Sequence, residues 1–343
     1  MNQSTYFTFE SRTENLVGLK LLACSFMKHS ESKLTVFLPA SLVHEFKHWA
    51  ERTGSNATVS EFRSDVTGWS VKPHICLHML LEGHTCPTWV DADIMLVRDP
   101  EALWPTKAAD ELVVTEDPAL VFDRSCERAR VWGLSPGREL AYTVNTSVLR
   151  FGPSHRELIS EWCDLTLRTE FVEAQRLPFS QRPAHLLGDQ DLLEGLLVSE
   201  KYCDVPVRVL RSGAEIVHDF RCGDYRIRDR FRNALWDRSY FVHGQGIKPW
   251  SESSDQPLYR LTSVFTAIAR EYAGALKPQT LWLERSNSSS RMWRVLSLGN
   301  RHLVGCGPIL QDWCGTKIAL ARVKLGAVRR RLFVRNRSGR NRS

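Results

Sequence analysis

Two aspartates separated by one residue stand out in the stretch TWVDADIMLV, where the surrounding apolar residues predict a buried strand. A buried carboxylate is costly unless it is paired or holds a cation. Side chains at positions i and i+2 of an extended chain lie on the same side, so Asp91 and Asp93 could bind one divalent ion where the strand ends. A strand end with two solvated acids explains the same residues, and the rest of the chain must distinguish the two.

Two later segments carry further residues suited to a polar site. Asp189 and Gln190 in GDQDLLEGLL open a predicted helix, where the helix dipole favours an acid even without a ligand. His243 follows an apolar strand in YFVHGQGIKPW and precedes two glycines and Lys248. Glycines let a backbone approach a ligand closely, and a lysine can neutralise a phosphate. The three segments together indicate a site for a cation and an anionic ligand.

The first hundred residues alternate short apolar strands with helices of about ten to fifteen residues. We predict strands at TYFTF, KLTVFLP, ATVSEF and PTWVDADIMLV, and helices at ENLVGLKLLACSFMKH, LVHEFKHWAERTG and VKPHICLHMLLEGH. This alternation indicates an α/β fold built on a parallel sheet that is covered on both faces. Asp91 and Asp93 would then lie near the carboxyl end of a central strand, where such sheets bind ligands.

The remainder of the chain mixes the two periodicities. Strands are predicted at ELVVTED, AYTVNTSVLRF and RSYFVHG, and helices at SHRELISEWCDLTLRT, QDLLEGLLVSEKY and residues 256–275. No internal repeat is apparent in the sequence.

Composition indicates an ordinary globular protein, with 43% hydrophobic and 25% charged residues. The first residues lack the basic and apolar regions of a secretory signal, and no apolar run is long enough to span a membrane. Nine cysteines without a C-x-x-C pair argue against a disulfide scaffold or a zinc ribbon. These features predict a cytoplasmic protein with reduced thiols.

The end of the chain is strongly basic. From Lys317 onward there are ten Lys and Arg residues and no acid, so the rest of the chain is net negative although the whole carries +7. KIALARVKLGAVRRRLF fits an amphipathic helix with a basic polar face. Such a helix is typical of attachment to an anionic membrane surface, and a docked terminal helix explains it equally well.

The ordered set TWVDADIML, VNTSVLRF, GDQDLLEGLL and HGQGIKPW resembles the retaining glycosyltransferases of the GT-A fold known as family 8, the group of glycogenin and the bacterial lipopolysaccharide galactosyltransferases. GWSVKP resembles the lysine-bearing segment that precedes the D-x-D strand in bacterial members, and the similarity covers about residues 6–250. The resemblance implies a Rossmann-like mixed sheet flanked by helices in residues 1–255. A helical or irregular extension would occupy residues 256–316, and a basic amphipathic helix with a disordered tail would occupy residues 317–343.

The resemblance also implies a metal site and a donor. Asp91, Asp93 and His243 would hold Mn²⁺ or Mg²⁺ against the two phosphates of a nucleotide sugar, expected to be UDP-linked. Lys248 and the backbone of Gly246 would support the departing diphosphate.

Further residues would bind the donor on the same grounds. Lys72 would approach the phosphate or the donor sugar, Asn145 and Asp189 would hydrogen-bond sugar hydroxyls, and Gln190 would lie near the anomeric carbon. The loop from Phe9 to Glu14, with Phe9 and Glu10 at its start, would contact the base and the ribose. Asp189, Gln190 and Lys248 are the expected catalytic residues, and the reaction would retain the anomeric configuration.

Three positions depart from the family pattern. Ser147 replaces a frequent glycine, Glu194 replaces an asparagine, and the spacing from His243 to Lys248 is one residue shorter than usual. None of these changes removes an expected metal ligand, so we expect an active enzyme.

The sequence therefore predicts a metal-dependent hexosyltransferase that acts on a glycan or glycolipid acceptor in polysaccharide biosynthesis, at the membrane periphery if the basic tail binds there. An inactive protein that binds a nucleotide sugar or nucleic acid remains an alternative, although the net acidic body argues against a nucleic-acid groove. A D-x-D phosphatase is a further alternative, which Ile94 and the three preceding strands disfavour.

Overall fold

The structure is a computed structural model that describes residues 4–104, 110–117, 125–183, 185–219, 229, 233, 239–246, 248–251 and 264–277. Of the extension predicted for residues 256–316, it describes residues 264–277. The basic segment predicted for residues 317–343 lies outside the described residues.

A seven-stranded mixed sheet forms the centre of the fold, with the strand order β3-β2-β1-β4-β7-β6-β8. Strands β1 to β4 run parallel, β7 is antiparallel to both β4 and β6, and β8 is parallel to β6. The strands comprise β1 (Thr5–Phe9), β2 (Lys33–Leu38), β3 (Thr58–Glu61), β4 (Thr88–Val90), β6 (Leu112–Glu116), β7 (Val144–Arg150) and β8 (Val207–Leu210). The predicted mixed α/β architecture is therefore confirmed.

A smaller sheet adjoins the first and has the order β5-β10-β9. Its strands are β5 (Ile94–Leu96), β9 (Ile216–His218) and β10 (Phe241–His243). β10 pairs antiparallel with β5 and parallel with β9. This sheet therefore brings a late segment of the chain beside the residues that directly follow β4.

Helices surround the sheets. They are α1 (Leu16–His29), α2 (Ala40–Thr53), α3 (Val71–Leu81), α4 (Ser125–Val131), α5 (Arg156–Leu167), α6 (Thr169–Arg176), α7 (Asp189–Leu197) and α8 (Val264–Ala269). None of the helices in the described part of the chain is both long and apolar enough to span a membrane.

Each face of the large sheet packs a separate hydrophobic core. Tyr6 and Phe7 are adjacent on β1 and both fully buried, yet Tyr6 belongs to one core and Phe7 to the other. Alternate side chains of a strand point to opposite faces, so a central strand covered by helices on both faces buries its side chains on both sides. The polar residues within these strands, Thr8 on β1 and Asn145, Thr146 and Ser147 on β7, are therefore buried as well.

The prediction of one strand over PTWVDADIMLV is wrong. β4 ends at Val90, Asp91 to Asp93 turn the chain, and β5 begins at Ile94 in the other sheet. The turn is closed by a hydrogen bond from the Ile94 N–H to the Asp91 carbonyl oxygen (3.1 Å), while the Asp91 N–H donates to the Ser147 carbonyl oxygen (2.8 Å). Asp91 therefore keeps its place at the end of the large sheet while the following residues leave it.

Other predicted elements need smaller corrections. The helix predicted over QDLLEGLLVSEKY ends at Leu197 and is followed by a short 3₁₀ turn at Glu200–Tyr202. Within the helix predicted for residues 256–275, residues 264–269 are helical, and residues 252–263 lie outside the described residues. β8, β9, α4 and α6 were not predicted from the sequence.

Candidate functional site

Asp91, Asp93 and His243 meet at the junction of the two sheets. Asp91 follows the last residue of the central strand β4, and His243, the last residue of β10, pairs with Ile94 across the small sheet. The His243 Nε2 atom is 3.3 Å from Asp93 Oδ1 and 3.9 Å from Asp91 Oδ2. One ligand atom of each side chain lies within 4.8 Å of the other two. The three expected metal ligands are therefore brought together, at the carboxyl end of a central strand as predicted.

The second ring nitrogen of His243 is held by another histidine. His218 is the register partner of His243 on β9, and the two Nδ1 atoms are 3.0 Å apart. When Nε2 of His243 serves as a ligand, its Nδ1 carries the proton and donates to the Nδ1 of His218. Burial, and then the proximity of His243, lowers the pKa of His218 well below its usual value, so His218 stays neutral and can accept this hydrogen bond.

Each aspartate also faces a lysine. Lys72 Nζ lies 2.9 Å from Asp91 Oδ1 and 3.5 Å from Asp189 Oδ2, and it donates to the hydroxyl of Thr146 (2.8 Å). Burial alone would lower the pKa of Lys72, but the charges of Asp189 and Asp91 raise it above its usual value. Lys72 is therefore a permanent positive charge inside the site.

Lys248 pairs with Asp93 as Lys72 pairs with Asp91. Its ammonium group contacts the Asp93 carboxylate and the carbonyl oxygen of Gly244 (3.2 Å). Burial tends to raise the pKa of Asp93, but the charges of Lys248 and His243 hold it well below its usual range. Asp93 is thus ionised, as a metal ligand must be.

A network of side-chain amides extends from this centre towards α7. The Asn145 amide donates to Gln190 Oε1 (3.2 Å), and the Gln190 amide donates to Asp117 Oδ2 (3.1 Å). The same Asp117 oxygen accepts a longer hydrogen bond from Gln245 (3.4 Å). The expected residues Asn145 and Gln190 are therefore neighbours, whereas Asp117 was missed. Its signal was available, since Asp117 directly follows the apolar strand β6 at the same edge of the sheet.

Asp189 lies at the first turn of α7 and joins the network of Lys72. Its Oδ2 accepts a hydrogen bond from the Thr146 hydroxyl (2.9 Å). Burial raises the pKa of Asp189, and the charge of Lys72 opposes this. Asp189 is therefore paired inside the protein, in addition to having the favourable position of an acid at a helix amino terminus.

The expected base-binding loop lies at the carboxyl end of β1, next to β4. Phe9 is half-buried against Phe62, while the buried Glu10 accepts hydrogen bonds from the Ser11 and Arg12 N–H groups and from the Arg12 guanidinium. The carboxylate of Glu10 therefore fixes the shape of its own loop.

Two departures from the family pattern have structural explanations. The buried Ser147 hydroxyl lies 3.0 Å from the Thr115 hydroxyl. Glu194 accepts hydrogen bonds from Arg128 (2.5 Å) and from the N–H of Val144 (3.0 Å). The side chains of Ser147 and Glu194 thus form hydrogen bonds with other residues of the protein.

Two glycines allow close approach at the site. Gly246 has a positive φ of 78°, a conformation that disfavours residues with a Cβ. A Cβ at Gly18 on α1 would come within 2.9 Å of the Ala92 carbonyl oxygen and 2.6 Å of the Trp250 ring. Helix α1 therefore packs directly on the Asp91–Asp93 turn. Gly18 makes this close packing possible, and its importance was not predicted from the sequence.

No protein-family model matches the chain. No curated protein matches it either. Among solved structures, the chain is similar to the galactosyltransferase LgtC in complex with donor and acceptor sugar analogs, with a TM-score of 0.48 and 15% identity, covering 85% of this chain and 99% of that one. It is also similar to a glycosyltransferase involved in the glycosylation of the major capsid of PBCV-1, with a TM-score of 0.38 and 10% identity, covering 72% of this chain and 94% of that one. At these values the similarity concerns the general course of the chain alone.

Proposed function

We propose that this protein is a metal-dependent glycosyltransferase that transfers a hexose from a nucleotide sugar, expected to be UDP-linked, to a glycan or glycolipid acceptor with retention of configuration. The observation that carries the proposal is the convergence of Asp91, Asp93 and His243 beside two lysines at the carboxyl end of a central strand. This combination suits a ligand that brings both a cation and a diphosphate.

The three side chains fit a divalent cation. Two carboxylates and one imidazole form a ligand set that Mn²⁺ accepts readily and Mg²⁺ can share. Asp91, Asp93 and Asp189 together carry one more charge than Lys72 and Lys248, so the site is net negative and attracts a cation; the bound divalent ion would leave one positive charge to attract an anionic diphosphate. When bound, such an ion supplies Lewis-acid stabilisation of the charge that develops on the departing diphosphate.

The lysines would act on the same leaving group. The ammonium groups of Lys72 and Lys248 can each donate to a phosphate oxygen, and this contact strengthens as negative charge accumulates during departure of the nucleotide. Gly246 has no side chain, and its positive φ is a conformation that residues with a Cβ disfavour, so its backbone N–H could approach the same leaving group. These residues would therefore lower the barrier rather than only bind the donor.

The amide network would hold the donor sugar. Asn145 and Asp189 lie on neighbouring elements and would bind sugar hydroxyls, while Gln190 is oriented by Asn145 and Asp117. Fixed amides of this kind can place the anomeric carbon without rearranging during the reaction. The base and ribose would contact the loop that starts at Phe9 and Glu10.

The proposal is tested by measuring nucleotide release from purified protein with UDP-, GDP- and other nucleotide sugars, in the presence of Mn²⁺, Mg²⁺ or a chelator. Hydrolysis to water does not need the acceptor. We expect release from one donor that the chelator and Asp93→Asn abolish, while Asp65→Asn, which changes an exposed aspartate, leaves it intact. Release that is insensitive to chelator and to Asp93→Asn would contradict the metal site. Binding of a nucleotide sugar without release, even with glycan acceptors added, would favour the inactive alternative.

We also propose that the basic segment 317–343 attaches the enzyme reversibly to an anionic membrane, where a glycolipid acceptor would be found. Each basic residue near such a surface contributes about 1 kcal/mol at most, so ten can anchor a protein without a spanning helix. Co-sedimentation of the full chain with phosphatidylserine vesicles should fall with added salt and with deletion of residues 317–343. Equal binding with and without the segment would contradict the proposal.

A further inference from the structure

Two exposed aromatic rings pack edge to face near the start of α7. The side chain of Trp69 is 44% exposed and that of Phe179 is 54% exposed. Their ring centroids are 6.3 Å apart and their planes make an angle of 85°. They come from different segments, since Trp69 belongs to the 3₁₀ turn before α3 and Phe179 opens the 3₁₀ turn at Phe179–Gln181. We refer to Trp69, Phe179 and Arg182 as the aromatic platform.

Arg182 orders the platform. Its guanidinium carbon lies 5.4 Å from the centroid of the Trp69 ring and 5.9 Å from that of Phe179, within range of a cation–π contact with each. Its nitrogens donate to the side-chain oxygen of Gln175 (2.5 Å) and to the carbonyl oxygen of Leu187 (2.8 Å). Because Arg182 is fixed by its own segment, the two rings are held in place before any ligand arrives, which lowers the entropic cost of binding.

The platform borders the part of the site expected to hold the donor sugar. The Trp69 ring lies against the backbone of Gly188, where an added Cβ would come within 3.2 Å of the ring atom Cε3. Gly188 directly precedes Asp189, and Trp69 lies three residues before Lys72. Trp69 therefore packs on the backbone one residue from Asp189, at the start of α7, while its ring and that of Phe179 remain exposed.

We infer that the aromatic platform binds a pyranose ring of the acceptor glycan by stacking, an inference that rests on the proposed function. The C–H face of a pyranose is apolar and carries partial positive charge on its hydrogens, which complements the negative face of an aromatic ring. The hydroxyl groups at the rim of the sugar can remain in water while this face is covered. Because the two ring planes are nearly perpendicular, one ring can stack on the C–H face of a sugar while the other contacts the edge of the same sugar, beside the proposed sugar-transfer site.

The size of the platform favours this occupant over a protein or a membrane. A stable protein interface buries about 800 Å² on each partner. A large aromatic side chain buries about 150–250 Å² when fully covered, so two half-exposed rings fall well short of that area. Insertion into a membrane interface uses a longer apolar face than two rings supply.

The inference is tested by saturation-transfer-difference NMR on the full chain, with no nucleotide or metal added. The probes are methyl glycosides and linear oligosaccharides of neutral, amino and acidic hexoses in both anomeric linkages. We expect one saccharide class to receive saturation from the wild-type protein. Its affinity should fall at least about tenfold in Trp69→Ala and in Phe179→Ala. Phe179→Tyr should retain binding, and so should Leu81→Ala, which removes an exposed apolar side chain of similar accessibility from the end of α3.

Several results would overturn the inference. They are the absence of saturation with every saccharide, unchanged affinity in both alanine variants, or a requirement for Phe179 in vesicle binding or self-association instead of saccharide binding. Phe179 is more than half exposed, so Phe179→Ala keeps the test valid even where Trp69→Ala disturbs the packing on Gly188. Because the assay needs no donor, saccharide binding without nucleotide release in the donor assay would contradict the proposed function and leave the platform as a saccharide site.

Discussion

At the scale of single residues, the site depends on how its ligands are held as well as on which ligands they are. His218 is fully buried behind His243, and the Nδ1 atoms of the two rings are 3.0 Å apart. Trp89 similarly donates its indole N–H to Asp91 Oδ1 (2.6 Å). Partners of this kind orient metal ligands, and their loss typically costs 10- to 100-fold in metal affinity. His218 and Trp89 therefore belong to the proposed metal site as positioning residues.

We predict that His218→Leu weakens binding of Mn²⁺ by at least about tenfold, because the His243 Nδ1–H loses its acceptor and the ring loses its orientation. Isothermal titration of Mn²⁺ into the purified variants measures the change. His44→Leu, at an exposed position of α2, is the matched control and should bind as the wild type does. Equal affinity in the His218 and His44 variants would show that His218 does not orient the ligand.

At the scale of secondary-structure elements, a buried ionic cluster connects α4, α7 and β7. Arg128 on α4 pairs with Asp191 (2.9 Å) and with Glu194 (2.5 Å) on α7, and Glu194 also accepts the N–H of Val144 on β7. Asp191 Oδ2 accepts the N–H of Gly188 at the start of α7 (2.9 Å). The cluster thus fixes the helix end that carries Asp189 and Gln190, and it places two carboxylates around one guanidinium.

This cluster predicts a pH dependence of stability. Burial raises the pKa of Asp191 from 3.8 to about 7, although the charge of Arg128 opposes the rise; Glu194 and Asp189 add to it. Between about pH 4 and pH 7 the folded carboxyl therefore holds a proton that the unfolded chain releases. Protonation of Asp191 therefore contributes most to the free energy of unfolding below this window, and the contribution is lost as the pH rises through it. The loss is at most about 1.4 kcal/mol for each unit by which the folded pKa exceeds the unfolded one.

We predict that the decrease in thermal stability between pH 5 and pH 8 is smaller in Asp191→Asn than in the wild type, because the amide cannot titrate. Differential scanning fluorimetry at the two pH values measures the difference. Asp65→Asn, at an exposed position, should show the same decrease as the wild type. Identical decreases in all three proteins would mean that Asp191 does not titrate in this window.

The elements that the sequence predicts well are those whose pattern is local. β1, β2, α1 and α2 follow from apolar periodicity, and the position of Asp91 at the end of a central strand follows from the alternation of strands and helices. The break after Val90 could not be predicted, because it depends on the pairing of β5 with β10, and β10 is distant in sequence. The importance of Trp69 could not be predicted for the same reason, since it depends on Phe179 and Gly188 from other segments, whereas Asp117 could have been found at the end of the predicted strand ELVVTED.

At the scale of the whole molecule, residues 264–277 pack against the core that underlies the candidate site. Residues 264–277 contribute buried side chains to the same core as α1 and α2, and the Trp49 indole donates to the Ala275 carbonyl oxygen (2.8 Å). The N–H of Phe265 donates to Asp219 (2.9 Å), and its ring lies 5.8 Å from that of Trp250. The division of the chain near residue 255 stays a prediction, while residues 264–277 pack closely on the part of the chain that carries the candidate site.

We predict that Phe265→Ala lowers the free energy of unfolding by about 3–5 kcal/mol, the range for removal of a large buried aromatic side chain. Phe265 is fully buried and also lies against Gly244, next to His243. Urea denaturation followed by far-UV circular dichroism measures the loss. Leu81→Ala, which truncates an exposed side chain, should change the free energy by about 0.5 kcal/mol or less. A similarly small change in Phe265→Ala would contradict the packing described for residues 264–277.

Electron paramagnetic resonance titration of Mn²⁺ in the presence of UDP measures whether Asp91, Asp93 and His243 form a metal site for a nucleotide sugar. We predict saturable binding of one ion per chain in the wild type and in Asp65→Asn, and its loss in Asp93→Asn with the fold retained. Equal binding by Asp93→Asn and the wild type, or no binding by the wild type with UDP present, would contradict it.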